Sequence, residues 1–275
     1  MMSVISVNTE LCKRDGICVA VCPARIIEMK TDESFPEPVA DAAERCINCG
    51  HCVAACPHEA ISQRAMGPGD CAPVKKELLL GPEQTEHFLR YRRSIRVYRD
   101  KPVDKETITR MIEIARYAPS GHNLQPVHWT VIYDSNEVRR LAGITVDWMR
   151  TVIEHNPDLA AFMHLEHVVS AWEQGDDRVL RGAPHLIVAH ADASLGPAQA
   201  ACTIALTYLE LTAAPLGLGA CWAGYFHASA TFHEPMKTAL ALPDGHACFG
   251  GMMIGHAKHA YHRLPTRKEP RITWR

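Results

Sequence analysis

Long apolar runs are missing from this sequence. The most apolar stretch, Ala198 to Gly224, is broken by Glu210, Pro215 and several glycines. It therefore reads as a buried helix and loop, not as the run of about 20 apolar residues that a membrane span needs. Basic tails are missing too. With a formal charge of −2 at pH 7, the chain lacks the electrostatic footprint of a nucleic-acid binder, so neither a nucleic acid nor a membrane is expected as a partner. The opening MMSVISVNTELCKRDG has no charged segment followed by an apolar one and no transit-peptide pattern, which makes a cytoplasmic location the expectation. What remains is ordinary. A length of 275 residues suits roughly two domains, and 47% hydrophobic with 22% charged residues is ample for a buried core.

Cysteine is the residue in excess. There are 11, many for a compartment in which disulfides are rare, so their positions carry the information. Cys46, Cys49, Cys52 and Cys56, followed by Pro57, spell C-x2-C-x2-C-x3-C-P. An earlier copy keeps Cys12, Cys18 and Cys22 before Pro23 but has Asp15 where the second cysteine belongs. The pattern resembles the ligand runs of bacterial two-cluster ferredoxins, in which three thiolates of a loop grip one iron–sulfur cube and the cysteine beside proline ligates the other. On that resemblance Cys46, Cys49, Cys52 and Cys22 hold one 4Fe-4S cluster, while Cys12, Cys18 and Cys56, with Asp15, hold the second. Zinc also takes paired C-x2-C, yet it needs neither the third cysteine nor a duplicated C-x3-C-P ending. A carboxylate is a harder, weaker ligand for iron than a thiolate. The Asp15 site thus stays open between a 4Fe-4S cluster with an aspartate or solvent ligand, a 3Fe-4S cluster, and no cluster.

Residues 1–64 form this ferredoxin-like module, and the glycine- and proline-rich 65–82 reads as a linker carrying Cys71 as a plain thiol. Residues 83–275 alternate helix and strand signals. Lys105 to Tyr117 spaces Ile108, Met111, Ile112 and Ala115 on one helix face and stops at Pro119. Val127 to Tyr133 and Pro184 to His190 read as strands, the second apolar enough to be buried on both faces. Ala200 to Ala214 is a long apolar helix, and Thr145 to Asp177 a helical insertion with Trp148, Met149, Phe162, Met163 and Trp172. The fold class is α+β.

Four segments of this domain resemble the nitroreductase family. They are Arg92-Arg93-Ser94-Ile95-Arg96; Ala118-Pro-Ser120-Gly121-His122-Asn123-Leu-Gln125-Pro126; Leu216-Gly-Leu-Gly-Ala-Cys221-Trp222-Ala223-Gly224; and Gly255-His256 with the later Arg267-Lys268. The resemblance implies FMN. Arg92, Arg93, Ser94, Arg96 and Arg267 would hold its phosphate and ribityl chain, because guanidinium forks match phosphate oxygens. Ser120 and Asn123 would approach the ring, and Gln125 would support the turn that also brings Gly121 to the cofactor. Trp222, Ala223 and Gly224 would run along the ring, with glycine permitting a close backbone approach. His122 is expected in solvent and Cys221 in the core.

The resemblance also implies an intertwined homodimer whose two FMN sites are each built by both chains. No catalytic residue of the chain is expected, since the chemistry sits at FMN N5. The function implied is that of a flavin oxidoreductase, passing electrons from the clusters or from NAD(P)H to a small acceptor such as a nitroaromatic, quinone or activated alkene. Reduced ferredoxin is a further candidate donor. The alternatives are an electron-transfer module serving a protein partner and a flavin-dependent dehalogenase-type enzyme.

Overall fold

The computed structural model describes residues 3–275. Two compact units emerge, one from the chain up to Leu80 together with Gly121–Leu124, the other from Gly81–Ser120 and Gln125–Arg275. Among the described residues, no helix is long and apolar enough to cross a membrane.

In the first unit β1 (Ile5–Val7) pairs antiparallel with β4 (Ile61–Gln63), and β2 (Ile27–Glu28) with β3 (Glu37–Pro38). Three short helices lie between: α1 (Ile17–Ala20), α2 (Ala42–Arg45) and α3 (His51–Ala55). Val4, Ile5, Ile26, Ile27, Ala42 and Ile61 make a small core with Cys18. The two cysteine runs share one backbone course. Positive φ occurs at Arg14, Gly16 and Arg25, and again 34 residues later at Asn48, Gly50 and Glu59. The amide of Ile26 lies 3.5 Å from Cys22 Sγ, as that of Ala60 lies 3.4 Å from Cys56 Sγ. Asp15 therefore leaves the loop of the incomplete run undisturbed. The segment read as a linker clusters with this unit as far as Leu80. Met66 explains part of this, because it packs against Gly50 so closely that a Cβ there would collide with its sulfur.

The second unit is built on a four-stranded antiparallel sheet, in the order β5 (His128–Ile132), β6 (His185–Asp192), β8 (His246–Gly255), β7 (Gly219–Trp222). β6 is buried along almost its whole length because both faces of the sheet are covered. Successive side chains of a strand point to opposite faces. Leu186 and Val188 accordingly enter one core, and Ile187, Ala189 and Ala191 enter the other. Burying each large aliphatic side chain in this way stabilises the unit by about 1.5–3 kcal/mol.

The helices in chain order are α4 (Pro82–Tyr91), α5 (Lys105–Ala115), α6 (Ser135–His155), α7 (Pro157–Phe162), α8 (Leu165–Glu173), α9 (Ala198–Ala213), α10 (Gly224–Phe232) and α11 (Glu234–Leu240). α5 starts where Asp104 accepts a hydrogen bond from the Thr107 amide at 2.7 Å, an N-cap that supplies one of the helix's orphan donors with a partner. It buries Ile108, Met111 and Ala115. The helical region expected from Thr145 begins ten residues earlier, at Ser135, because Val138, Leu141 and Ala142 already carry the buried stripe. Trp148 and Met149 are core residues, whereas Phe162 stands 82% exposed. The long apolar helix is α9, and its exposed side carries Ile204 and Tyr208.

Candidate functional site

The duplicated loops of the first unit surround two cavities. One is lined by Cys46, Cys49 and Cys52 with Cys22 from the other run. The second is lined by Cys12, Asp15 and Cys18 with Cys56. Each run thus lends its last cysteine to its neighbour's cavity. The thiols lie close enough to act on one another. Burial pushes the Cys18 thiol up to about 11, with Cys12, Cys56 and Asp15 adding to the shift, and burial also raises Cys52, with Cys49 and Cys22 adding. A cationic core at either place would reverse that balance, because coordinated thiols are deprotonated. Among the described residues no three His, Cys, Asp or Glu converge on a point that could hold a single metal ion. The cysteines surround cavities instead, an arrangement that suits a polynuclear cluster.

In the second unit the segment Arg92 to Arg96 runs beside β7. Ser94 bridges Ala220 in parallel, and the Ile95 amide donates to the Ala220 carbonyl at 2.9 Å. Gly219 is required for that approach, since a Cβ there would sit 2.6 Å from the Ile95 side chain. Docked in this way, the segment brings Arg92 and Arg93 to a cavity of about 330 Å3 shared with Arg90 and with Arg267 from the C-terminal tail. No acidic residue lines it. Arg93 Nε is buried without a hydrogen-bond partner, and an unpaired buried donor of a cation is costly. Arg96 does not line this cavity. Its charge acts instead on Cys221 and Tyr98.

Residues 89–256 match the model of the Nitroreductase family. The chain belongs to this family. Ahead of the nitroreductase domain, residues 4–67 match the 4Fe-4S dicluster domain, so the protein is an oxidoreductase with an iron–sulfur module at its N-terminal side. An NADH dehydrogenase of Thermus thermophilus is 31% identical over 199 residues, which cover 67% of this chain and 92% of that protein. Crystal structures of FMN-bound nitroreductases from Bacteroides fragilis and Desulfitobacterium hafniense superpose with a TM-score of 0.55 at 23% identity, covering 69% of this chain and 97% of each of theirs. These two likenesses show the shared fold.

Within the nitroreductase domain, the Trp222-Ala223-Gly224 segment joins β7 to α10. The Ala223 amide is committed to the Gly251 carbonyl at 2.9 Å. The amides of the first turn of α10, starting at Gly224, have no acceptor within their own helix. A Cβ at Gly224 would meet nothing within 4 Å. The chain's own packing therefore does not demand glycine here, unlike at Gly219, and open space lies over this helix start. Ser120 and Gln125 line a smaller cavity of about 90 Å3 with Arg116, Val127 and Trp129, and Ser120 Oγ accepts from the Gln125 amide at 2.9 Å.

Gly121 and Asn123, expected with Ser120 and Gln125, cluster with the first unit. Asn123 Nδ2 donates to the carbonyls of Ile47 and Asn48 at 3.3 and 3.1 Å, inside the loop that carries Cys46 and Cys49. His122 is exposed, and Cys221 is 3% exposed with its thiol raised by burial.

Two residues escape the sequence reading. His58 lines the cavity of the incomplete run. Glu210, an interruption in an apolar helix, is 6% exposed and bridges two of the predicted site residues. Its Oε1 pairs with Arg92 Nη1 at 2.8 Å and its Oε2 accepts from Trp222 Nε1 at 3.3 Å. A lone acid amid Ala, Leu and Thr signals a buried partner, yet nothing in the sequence says which arginine. We expect Glu210→Ala to cost on the order of 2 kcal/mol, less than the 3–5 of a fully buried pair because Arg92 keeps part of its surface in water. All 5 tryptophans lie in the second unit, so denaturant unfolding followed by tryptophan fluorescence reads this loss directly. An unchanged midpoint would mean that the pair contributes nothing.

Proposed function

We propose that this protein is an FMN-dependent oxidoreductase in which electrons from iron–sulfur clusters or from NAD(P)H reach a small flat electrophile such as a nitroaromatic, quinone or activated alkene. The observation that carries the flavin reading is the acid-free cavity of Arg90, Arg92, Arg93 and Arg267 with the orphaned Arg93 Nε. A phosphate dianion there would meet Arg93 and Arg267, which pair with no carboxylate among the described residues, whereas Arg90 and Arg92 already hold Glu86 and Glu210. Bound FMN supplies the exchange of hydride or single electrons. The chain's part is to anchor the phosphate through Arg93 and Arg267, with Arg92 held in place by Glu210. It also leaves the helix start at Gly224 open to the ring and keeps Trp222 fixed beside it.

In the first unit, Cys22, Cys46, Cys49 and Cys52 hold one 4Fe-4S cluster, and Cys12, Cys18 and Cys56 hold the other, with Asp15 and His58 lining its fourth corner. Both cavities fit, because each gathers its thiols from two loops of matching course. α4, which buries no residue, and the exposed Ile204 and Tyr208 of α9 suit the homodimer that the family resemblance implies. A cytoplasmic location accords with the many free thiols. The name of the Thermus thermophilus relative makes NADH the first donor to try.

The test is anaerobic reconstitution with FMN, iron and sulfide, followed by NADH, NADPH and reduced ferredoxin as donors. The expected result is reduction of the flavin by at least one donor and its faster reoxidation by a nitroaromatic or quinone. Reoxidation at the same rate with and without every small acceptor would favour a relay to a protein partner and end this reading.

A further inference from the structure

The two cysteine runs are copies offset by 34 residues, so each position lining one cavity has a counterpart at the other. Around the complete run, Cys49 lines the cavity with Ala24, two residues beyond Cys22. Around the incomplete run, Asp15 stands in the place of Cys49, and His58, two residues beyond Cys56, stands in the place of Ala24. The loss of a thiolate and the gain of an imidazole fall on the same cavity. They also fall side by side, with His58 Nε2 3.6 Å from Asp15 Oδ2. Asp15 Oδ1 is occupied otherwise, accepting from the Ile17 amide at 3.1 Å, which ties the carboxylate to its own turn.

We propose that His58 ligates the fourth iron of this cluster through Nδ1, with Asp15 as a positioning residue that receives the Nε2–H. The proposal rests on the reading that this cavity holds an iron–sulfur cluster. Imidazole is an established substitute for thiolate on cluster iron, as in Rieske centres, and is softer than a carboxylate. Metal-bound histidines commonly donate their other ring N–H to a carboxylate, which fixes the tautomer and the ring orientation. Asp15 is placed for that task, since the backbone holds it and its second oxygen faces the ring. The position in the sequence pattern that lacks cysteine is thereby filled from across the cavity.

Pulsed EPR of the anaerobically reconstituted, reduced full chain tests this, together with iron counting. The expected spectrum contains a strong nitrogen coupling on one of two cluster signals, shifted to the 15N pattern in protein grown on 15N-histidine. His58→Ala, which installs the residue present at the counterpart position and so preserves the loop, should abolish that coupling and leave the other cluster's signal intact. His58→Cys should also abolish it while keeping about eight irons per chain, and should lower that cluster's midpoint potential by restoring a thiolate. Asp15→Asn should retain the coupling. Two clusters with no strong histidine nitrogen, or a coupling that survives in His58→Ala, overturn the assignment while leaving the cluster reading intact. An iron count near seven overturns it as well, because no fourth iron is then present. Iron near four would overturn both the assignment and the reading on which it rests.

Discussion

Cys22→Ser should remove the cluster of the complete run, although Cys22 belongs to the incomplete one. The cavity around Cys46, Cys49 and Cys52 is closed by Cys22, and the amide of Ile26 lies against its sulfur at 3.5 Å, as amides do beside cluster ligands whose potential they tune. Cys56→Ser should do the reverse and damage the cluster beside Cys12 and Cys18. Each substitution is expected to cost one cluster, about four irons of eight, and to erase one EPR signal while sparing the other. The discriminating comparison is with Cys49→Ser. Cys22→Ser and Cys49→Ser should affect the same signal, and Cys18→Ser and Cys56→Ser the other. If the signals sort by run, with Cys22 alongside Cys18, then the crossing of ligands between the loops is wrong.

The second large effect concerns FMN. Arg267→Ala removes one wall of the arginine cavity, and Arg93→Ala removes the group whose Nε is buried without a partner. A lost charge-assisted contact costs about 1.5–3 kcal/mol, so FMN affinity should fall roughly ten- to more than a hundredfold in each variant. Arg96→Ala should weaken FMN less, because Arg96 stands apart from the cavity beside Cys221 and Tyr98. Fluorescence titration of flavin into deflavinated protein measures all three. Equal affinities in Arg93→Ala, Arg267→Ala and the unaltered protein would place the phosphate elsewhere.

Much of this architecture is legible in the amino-acid sequence. The α+β class follows from periodicities that survive folding, and β5, β6, α5 and α9 lie within a few residues of where alternation and helical spacing put them. The duplicated cysteine spacing foretells two loops of one shape, since a metal-binding loop is fixed by local backbone angles that Gly16 and Gly50 make accessible.

What the sequence hides is chiefly long-range. Residues 92 and 210 are 118 apart in the chain, and no local pattern announces that they pair. The start of α6 is not hidden in that sense, because Val138, Leu141, Ala142 and Thr145 keep helical spacing with Glu137, Arg139 and Arg140 off the buried stripe, and the aromatic residues further on are only the stronger signal. His58 gives no motif signal because it follows a ligand run instead of lying within one. Its significance appears only when the two copies are laid over each other in space. Asn123 shows the limit of carrying a motif over as a block, for residues 121–124 group with one unit while Ser120 and Gln125, on either side, group with the other.

The exchange of terminal cysteines between the two loops also bears on biosynthesis. On the proposed ligation, the first cavity to have its full thiol set during translation is complete at Cys52, and the second acquires its last thiolate only at Cys56, four residues later. Neither site can be finished while only the first half of the module has left the ribosome, and both become competent almost together. β1 then finds its partner β4 at once, because Ile61 to Gln63 follow directly. A nascent chain of this kind exposes free thiols until the last residues of the module emerge. On the proposed ligation, a truncation between Cys52 and Cys56 should therefore keep the full thiol set of the first site and lack the last thiolate of the second.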